Sequence, residues 1–514
     1  MSKFLKNNRQ ALLLLALLIA YVTTYFVYPL TPGNNPKYPA GWFGWFDQGQ
    51  YLKEALAIAQ LKFTPGNYFY PPLYPALGAI FVKWLPTHPF LLVNIAGFLI
   101  FAHFFIDLAR RFVGWPCAVI FFLLSLLPAR HMVALWIEPW TTTLVAPIFA
   151  YLFWELWRII TSRELPSIPR AALMGGLGGA IFATRPADAV VISPVFIMIL
   201  WQFYLIGSHQ SAEARRNTIF RAASLCAAGL FFVGCNLAFN QLVYGNLLGS
   251  YFEVSTSRNG FQLLDFPEKA VSIFLDGETL YGPEGDAILA KMRWLALMFP
   301  GVIYAIFAGP ALFRLILTVM AVQLLIYLPY SDLLPSGIWK YHNIHYFKWM
   351  FPYFWLIGFY PLFTLRGSSG TTTTRWGLIL STLAASLLLS VRLELIDVTA
   401  QVSITQTTVK EKPAIQIQST TPLTLDVITL PTIRGSYQNT YFGFDNTVQV
   451  DDNALMPVRD FRLFPLRPGT QLVFIRPITG ANILLQPKEL TISEGPLNIR
   501  CYQYRYTLGR PAWF

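Results

Sequence analysis

Residues 11–30, ALLLLALLIAYVTTYFVYPL, are the first of a series of apolar stretches of about 20 residues, and this recurrence constrains the fold more than any other feature. The hydrocarbon core of a bilayer is about 30 Å thick, which a helix crosses with about 20 apolar residues. Further stretches fall near 89–109, 114–129, 136–157, 172–185, 189–207, 222–243, 292–309, 311–330, 346–365 and 376–392, so the sequence predicts about 11 transmembrane helices. With 55% hydrophobic and 12% charged residues, the chain is too apolar for a soluble globular domain. A polytopic α-helical membrane protein is expected. No small-x-small cleavage pattern follows the first stretch, which therefore reads as a span rather than a signal peptide.

The basic residues give this series a direction. Lys3, Lys6, Arg9, Arg110, Arg111, Arg158, Arg163, Arg170, Arg215, Arg216, Arg314 and Arg366 all fall in alternate segments between spans. By the positive-inside rule those segments and the N-terminus are cytoplasmic, in an inner or plasma membrane, and the long segments 31–88 and 244–291 are extracytoplasmic. The stretch YPALGAIFVKWL, residues 74–85, is short, contains Lys83 and is hemmed in by prolines, so it is expected to lie along the surface. The net charge of +12 forms short clusters and no continuous basic face, which excludes nucleic acid as a partner; membrane lipids are the expected surroundings. Of four cysteines, only Cys501 lies in a polar region, and no disulfide framework is implied.

From residue 394 the pattern changes to alternation, as in QVSITQTT, IQIQS and NIRCYQYRY, the period of β-strands. Two domains are expected: residues 1–393, carrying the spans, and residues 394–514, a mainly-β extracytoplasmic domain.

On this topology Asp47, Glu138, Arg185, Asn246, His342, His345 and Lys348 all lie at or near the outer ends of spans. Ionisable groups at membrane depth are costly and usually face a cavity or a partner. Plainer readings stand beside each. Asp47 with Gln50 fits a capping box, Asp at the N-cap and Gln at N3. Glu138 precedes Pro139, which can open a helix, and Arg185 can snorkel at the interface. The histidines and Lys348 can mark a wet helix end. No HExxH, CxxC, GxxxxGK[ST] or GxSxG pattern occurs, so no protein metal site, phosphate loop or serine nucleophile is expected. GGLGG at 175–179 lies inside a span, where small residues let helices pack closely.

In their order along the chain, FDQGQY, FYPPLYPALGAIF, IEPW, TRPADAVV, VYGNLLGSYF and HYFKWMFPYFW form a pattern that resembles the GT-C class of integral-membrane glycosyltransferases. That class takes sugar from a polyprenyl phosphate and includes the lipid A aminoarabinose transferases and protein O-mannosyltransferases. The resemblance covers roughly residues 10 to 390 and implies a GT-C-like fold. It also implies a catalytic Asp in the first outer loop, matching Asp47, and donor-phosphate binding by polar residues at later outer helix ends. Two departures are visible: Gln48 follows Asp47 where many relatives have a second acid, and His345 and Lys348 stand where relatives often have an arginine.

Moving a sugar from a lipid phosphate to a hydroxyl requires a base for the hydroxyl and cations for the departing phosphate. Asp47 is the expected base. Arg185, Lys348 and His345 are the expected phosphate donors, and Glu138, His342, Tyr70 and Asn246 the expected substrate-orienting groups. Trp42, Trp45 and Trp136 offer aromatic surface for sugar and prenyl chain. The partners are then a polyprenyl-phosphate sugar donor and a lipid, glycan or protein acceptor. The sequence establishes no cofactor, and a divalent cation bound with the donor is left open. Two other classes compete with this reading. A lipid-linked glycan flippase or transporter would place polar groups at mid-membrane depth and repeat its halves. A non-catalytic scaffold would bind glycan through its β tail.

Overall fold

The computed structural model describes residues 2–126, 130–208, 211–261, 263, 266–282, 285–331, 333–367, 372–410, 412–430, 446–451, 453–457, 460–466, 469–486 and 499–509. The chain divides into two compact units. One comprises Met1–Glu253, Leu297–Ile326 and Ile344–Thr382; the other comprises Val254–Ala296, Tyr327–Asn343 and Leu383–Phe514.

The first unit is helical. In chain order its leading helices are α1 (Ser2–Val27), α2 (Phe46–Ala59), α3 (Leu73–Ala79), α4 (Leu91–Val113), α5 (Trp115–Leu126), α6 (Arg130–Ile137), α7 (Thr142–Ser162), α8 (Ile168–Phe182), α9 (Pro186–Ser208), α10 (Ala212–Tyr244) and α11 (Gly249–Glu253). Helices Phe299–Ala308, Ala311–Tyr327, Met350–Gly367 and Thr372–Leu389 follow later in the chain.

Every apolar window of the sequence contains a helix. Among the described residues five helices are long and apolar enough to cross a membrane: Asn8–Val27, Leu91–Val113, Thr142–Ser162, Pro186–Ser208 and Ala212–Tyr244. The windows at 292–309 and 311–330 hold one helix pair, Arg293–Ala308 and Ala311–Tyr327, bent by 117°. The bend falls at Gly309-Pro310, where proline removes a backbone donor. In the stretch 74–85, only α3 is helical, and its seven residues are too few to cross.

Close backbone approach holds α8 on α10. A methyl group added at Gly175 would lie 1.8 Å from the carbonyl oxygen of Leu225, and one at Gly179 would lie 2.3 Å from that of Gly229. GGLGG is thus a packing surface, as small residues in apolar helices commonly are.

The second unit is built on one antiparallel sheet of β1 (Val391–Asp397), β2 (Ser403–Val409), β3 (Lys412–Leu430), β4 (Thr447–Val450), β5 (Asn453–Leu455), β6 (Phe461–Leu466), β7 (Gly469–Gln486) and β8 (Arg500–Leu508). Its order is β1-β8-β3-β7-β4-β5, with β2 also on β3 and β6 on β7. The long strands β3 and β7 form its axis, paired from Ile415 with Leu485 to Leu430 with Thr470 through two register shifts. Alternation fills both faces: Ile428 and Leu472 enter one core, while Val427 and Val473 enter another with Leu280, Tyr281 and Leu334. Residues 254–296 and 327–343 therefore belong with the tail, a grouping that the division at 393/394 did not anticipate.

Gly175→Ala is expected to lower the thermal midpoint in detergent, with an overpacking cost of about 1–3 kcal/mol. Gly176→Ala, whose added methyl meets side chains alone, the Phe232 ring at 3.3 Å and Ala228 Cβ at 4.0 Å, is expected to be nearly neutral. Equal midpoints for the two variants would remove the close-contact explanation.

Candidate functional site

The first unit's polar residues gather where helices start or break. Helix α2 begins at Phe46 with Trp45 as its N-cap, and no side chain caps it. Asp47 therefore sits inside the first turn rather than at the N-cap, and the capping-box reading with Gln50 is corrected. The reason lies upstream. The turn Gly41–Gly44 leads into the helix two residues early, with Gly41 in the left-handed region (φ 53°) where an added methyl would meet the Leu30 carbonyl. A carboxylate in a first turn is favoured by the positive end of the helix dipole.

Asp47 Oδ1 accepts a hydrogen bond of 2.6 Å from the Tyr70 hydroxyl. The Tyr70 ring packs on Tyr51 at 4.7 Å and on Tyr251 at 5.4 Å. Burial, then the Asp47 carboxylate, hold the Tyr70 phenol well above its ordinary value, so it remains a donor. The Tyr51 hydroxyl lies beside the Thr141 side chain. The Thr141 hydroxyl accepts Arg185 Nη1 at 2.9 Å. A chain of contacts thus joins Asp47 to Arg185 through Tyr70, Tyr51 and Thr141.

Arg185 occupies the corner between α8 and α9, where Pro186 starts the next helix. Its Nε donates to Asp188 Oδ2 at 2.8 Å, and its guanidinium lies 4.9 Å from the centre of the Tyr346 ring. With only 11% of its side chain exposed, it does not snorkel toward water. Asp188, one turn into α9, fixes the plane of the fork.

Glu138 lies in a break between α6 and α7. Helix α7 starts at Thr142, so Pro139 does not open it, which corrects that plainer reading. The break is buried, and its polar groups are satisfied locally. Asn94 Nδ2 donates to the carbonyls of Ile137 and Glu138, while Trp140 Nε1 and the Tyr28 hydroxyl each donate to the Glu138 carboxylate at 3.0 Å. His345 stacks on Trp140 with ring centres 3.9 Å apart, and its Nδ1 is 3.1 Å from the Thr142 hydroxyl.

Lys348 is fully buried in the same region. Its Nζ donates to the Leu135 carbonyl at 2.8 Å and to the Thr143 hydroxyl at 2.6 Å, over the face of Trp136. These contacts serve the protein interior. Asn246 is exposed, and its Oδ1 accepts the N–H groups of Leu248 and Gly249, closing the turn into α11. His342 belongs to the second unit, where it is buried with left-handed backbone (φ 58°). Trp42 is buried against Tyr25 and Tyr28, a core position rather than an open aromatic platform. Among the described residues no three His, Cys, Asp or Glu side chains gather as a set that would hold a metal ion.

Sequence reasoning missed Tyr51, Thr141, Asp188 and Glu54. Tyr51 and Glu54 follow Asp47 at i+4 and i+7 on one stripe of α2, a signal available in the spacing. Asp188 stands one turn after Arg185 across a helix start, again readable in principle. Thr141 carried no signal.

No protein-family model matches the chain, and no curated protein does. Among solved structures the chain is similar to the crystal structures of ArnT from Cupriavidus metallidurans, one bound to undecaprenyl phosphate and one in the apo state. The identities are 14% and 13%, the TM-scores 0.44 and 0.41, and the matches cover 74% of this chain. The chain spans 65% and 63% of those two structures' own lengths. At that overlap the likeness bears on no residue of the site, whose chemistry rests on its own contacts.

Glu54 has 0% exposure, and its Oε1 accepts the N–H groups of Phe69 and Tyr70 at 2.8 and 2.9 Å. Burial raises its carboxyl from 4.5 to about 8, against the lowering by those two N–H groups and Lys53. With the folded value above the unfolded one, its contribution to stability is complete below 4.5 and is lost as pH rises through about 8. The thermal midpoint is accordingly expected to fall between about pH 4.5 and pH 8, and Glu54→Gln to flatten that fall. Identical pH profiles for parent and variant would exclude Glu54 as the titrating group.

Proposed function

We propose that the first unit is the centre of a glycosyltransferase that moves a sugar from a polyprenyl-phosphate donor to an acceptor hydroxyl on the extracytoplasmic face of the membrane. The observation that carries this reading is the linkage of a carboxylate, Asp47, to an oriented guanidinium, Arg185, through Tyr70, Tyr51 and Thr141. The motif pattern from FDQGQY to HYFKWMFPYFW supports the same chemistry.

In this mechanism the acceptor oxygen attacks C1 of the sugar and its proton passes to Asp47. The bond from C1 to the phosphate oxygen breaks, and its electron pair stays on the leaving prenyl phosphate. Attack from the face opposite the leaving group inverts the anomeric centre, by analogy with inverting glycosidases. Arg185 stabilises the charge growing on the phosphate, its fork already oriented by Asp188 and Thr141. Glu138 and His345 hold the wall of the centre through Trp140. Tyr70 keeps Asp47 in place.

Asp47→Asn preserves size and hydrogen-bonding shape but cannot take up the proton. Purified variant given radiolabelled polyprenyl-phosphate sugars is expected to bind donor like the parent while transferring about a hundred- to ten-thousand-fold more slowly. Parental single-turnover rates would eliminate Asp47 as the base.

Arg185→Lys keeps the charge but loses the planar fork and its two anchors. Weaker donor binding is expected, with the fold retained. Unchanged donor affinity and turnover would take Arg185 out of the site.

A further inference from the structure

The Asp47 carboxylate is in contact with Tyr70, but Tyr70 belongs to an irregular segment with no helix or strand of its own to fix it. Its neighbour Tyr68 has extended backbone, and helix α3 starts only at Leu73. What ties this segment to α2 is Glu54. Seven residues along a helix bring the chain about 20° short of two full turns, so Asp47 and Glu54 share a stripe about 10 Å apart along the axis. The segment is fastened to that stripe twice. Glu54 Oε1 grips the backbone at Phe69 and Tyr70, and the Tyr70 hydroxyl reaches back along the helix to Asp47 Oδ1.

A fully buried carboxyl is costly, and the fold retains it for two backbone N–H groups that an irregular segment would otherwise leave unpaired. The titratable groups that bear on it are Lys53 from its own helix, whose Nζ donates to the Gly66 carbonyl, Tyr68 and Tyr70 from the segment, and Tyr244 from α10.

We propose that Glu54 is a positioning residue of the Asp47 centre: it sets the backbone from which Tyr70 orients the carboxylate, and so acts on the transfer step through Tyr70. This rests on the glycosyltransferase reading above. Releasing the two N–H groups would let the Tyr70 ring slide against Tyr51 and Tyr251, and Asp47 would lose its fixed partner without any change at Arg185.

Fluorine NMR of 3-fluorotyrosine at position 70 tests the coupling without turnover. Asp47→Asn supplies the reference shift for an altered phenol partner. Glu54→Asp, one methylene short of the two amides, is expected to move the resonance as well. Glu54→Gln, with an acceptor oxygen at the same reach, is expected to leave it in place. In transfer assays Glu54→Asp should lower kcat about tenfold with donor KM unchanged, and should add almost nothing once Tyr70 is already phenylalanine, as expected for groups acting as a unit. An unmoved resonance in Glu54→Asp overturns the proposal, as does an undiminished loss in the Tyr70→Phe background. Failure of the glycosyltransferase reading is separate: the parent would then transfer no sugar from the polyprenyl-phosphate donors while the resonance still responded to Glu54→Asp.

Discussion

An unwound, buried stretch of backbone between α6 and α7 is the constraint around which the first unit is arranged. Backbone polar groups away from water must find partners within the protein, and each one left unpaired costs several kcal/mol in an apolar medium. Glu138 through Thr141 brings such groups together with a carboxylate. Asn94 covers two carbonyls, and Tyr28 and Trp140 cover the carboxylate. Thr141, at the far end of the break, receives Arg185. The break is tolerated because the surrounding helices supply these partners, and it gives the site irregular backbone at a defined place. Thr141 is also the link by which α2 and its Asp47 are brought into register with the α8–α9 corner.

How much of this could be read in the sequence depended on whether the signal was local. Asp47, Glu138 and Arg185 stand out because each interrupts an apolar pattern; Asp47 and Arg185 lie along one chain of contacts, and Glu138 is held separately by Tyr28 and Trp140. Tyr70 was reachable from the FYPP motif and does contact Asp47. Apolar windows located the helices well, since hydrophobicity over about 20 residues is a strong signal. The boundary placed between the windows 292–309 and 311–330 is also present: Gly309-Pro310 turns the chain by 117° there.

The composition of the second unit was not legible, for the opposite reason. Period-two alternation announced a sheet near residue 394, and strand β1 starts at Val391. Nothing local tells that Leu280, Tyr281 and Leu334 cover one face of it. That packing is a property of complementary surfaces far apart in sequence. Capping was misjudged on a finer scale. Asp47 and Gln50 have the right spacing for a box, but the turn at Gly41–Gly44 starts the helix earlier and moves both residues inward.

The two cations of the site divide their work, and the division follows from hydrogen-bond accounting. Lys348 has three donors; two already satisfy the Leu135 carbonyl and the Thr143 hydroxyl. Turning the ammonium toward a ligand would strand that carbonyl and hydroxyl in the interior, at about 1–3 kcal/mol for each group left unmet. Lys348 therefore acts within the interior, joining the Leu135 carbonyl at the end of α6 to the Thr143 hydroxyl at the start of α7. Arg185 differs in kind. Its guanidinium carries five donors in a rigid plane, and the contacts to Asp188 and Thr141 fix how that plane is turned. The lysine thus ties backbone and hydroxyl together inside the protein, while the arginine is a fork whose orientation is set by the α8–α9 corner and the α6–α7 break.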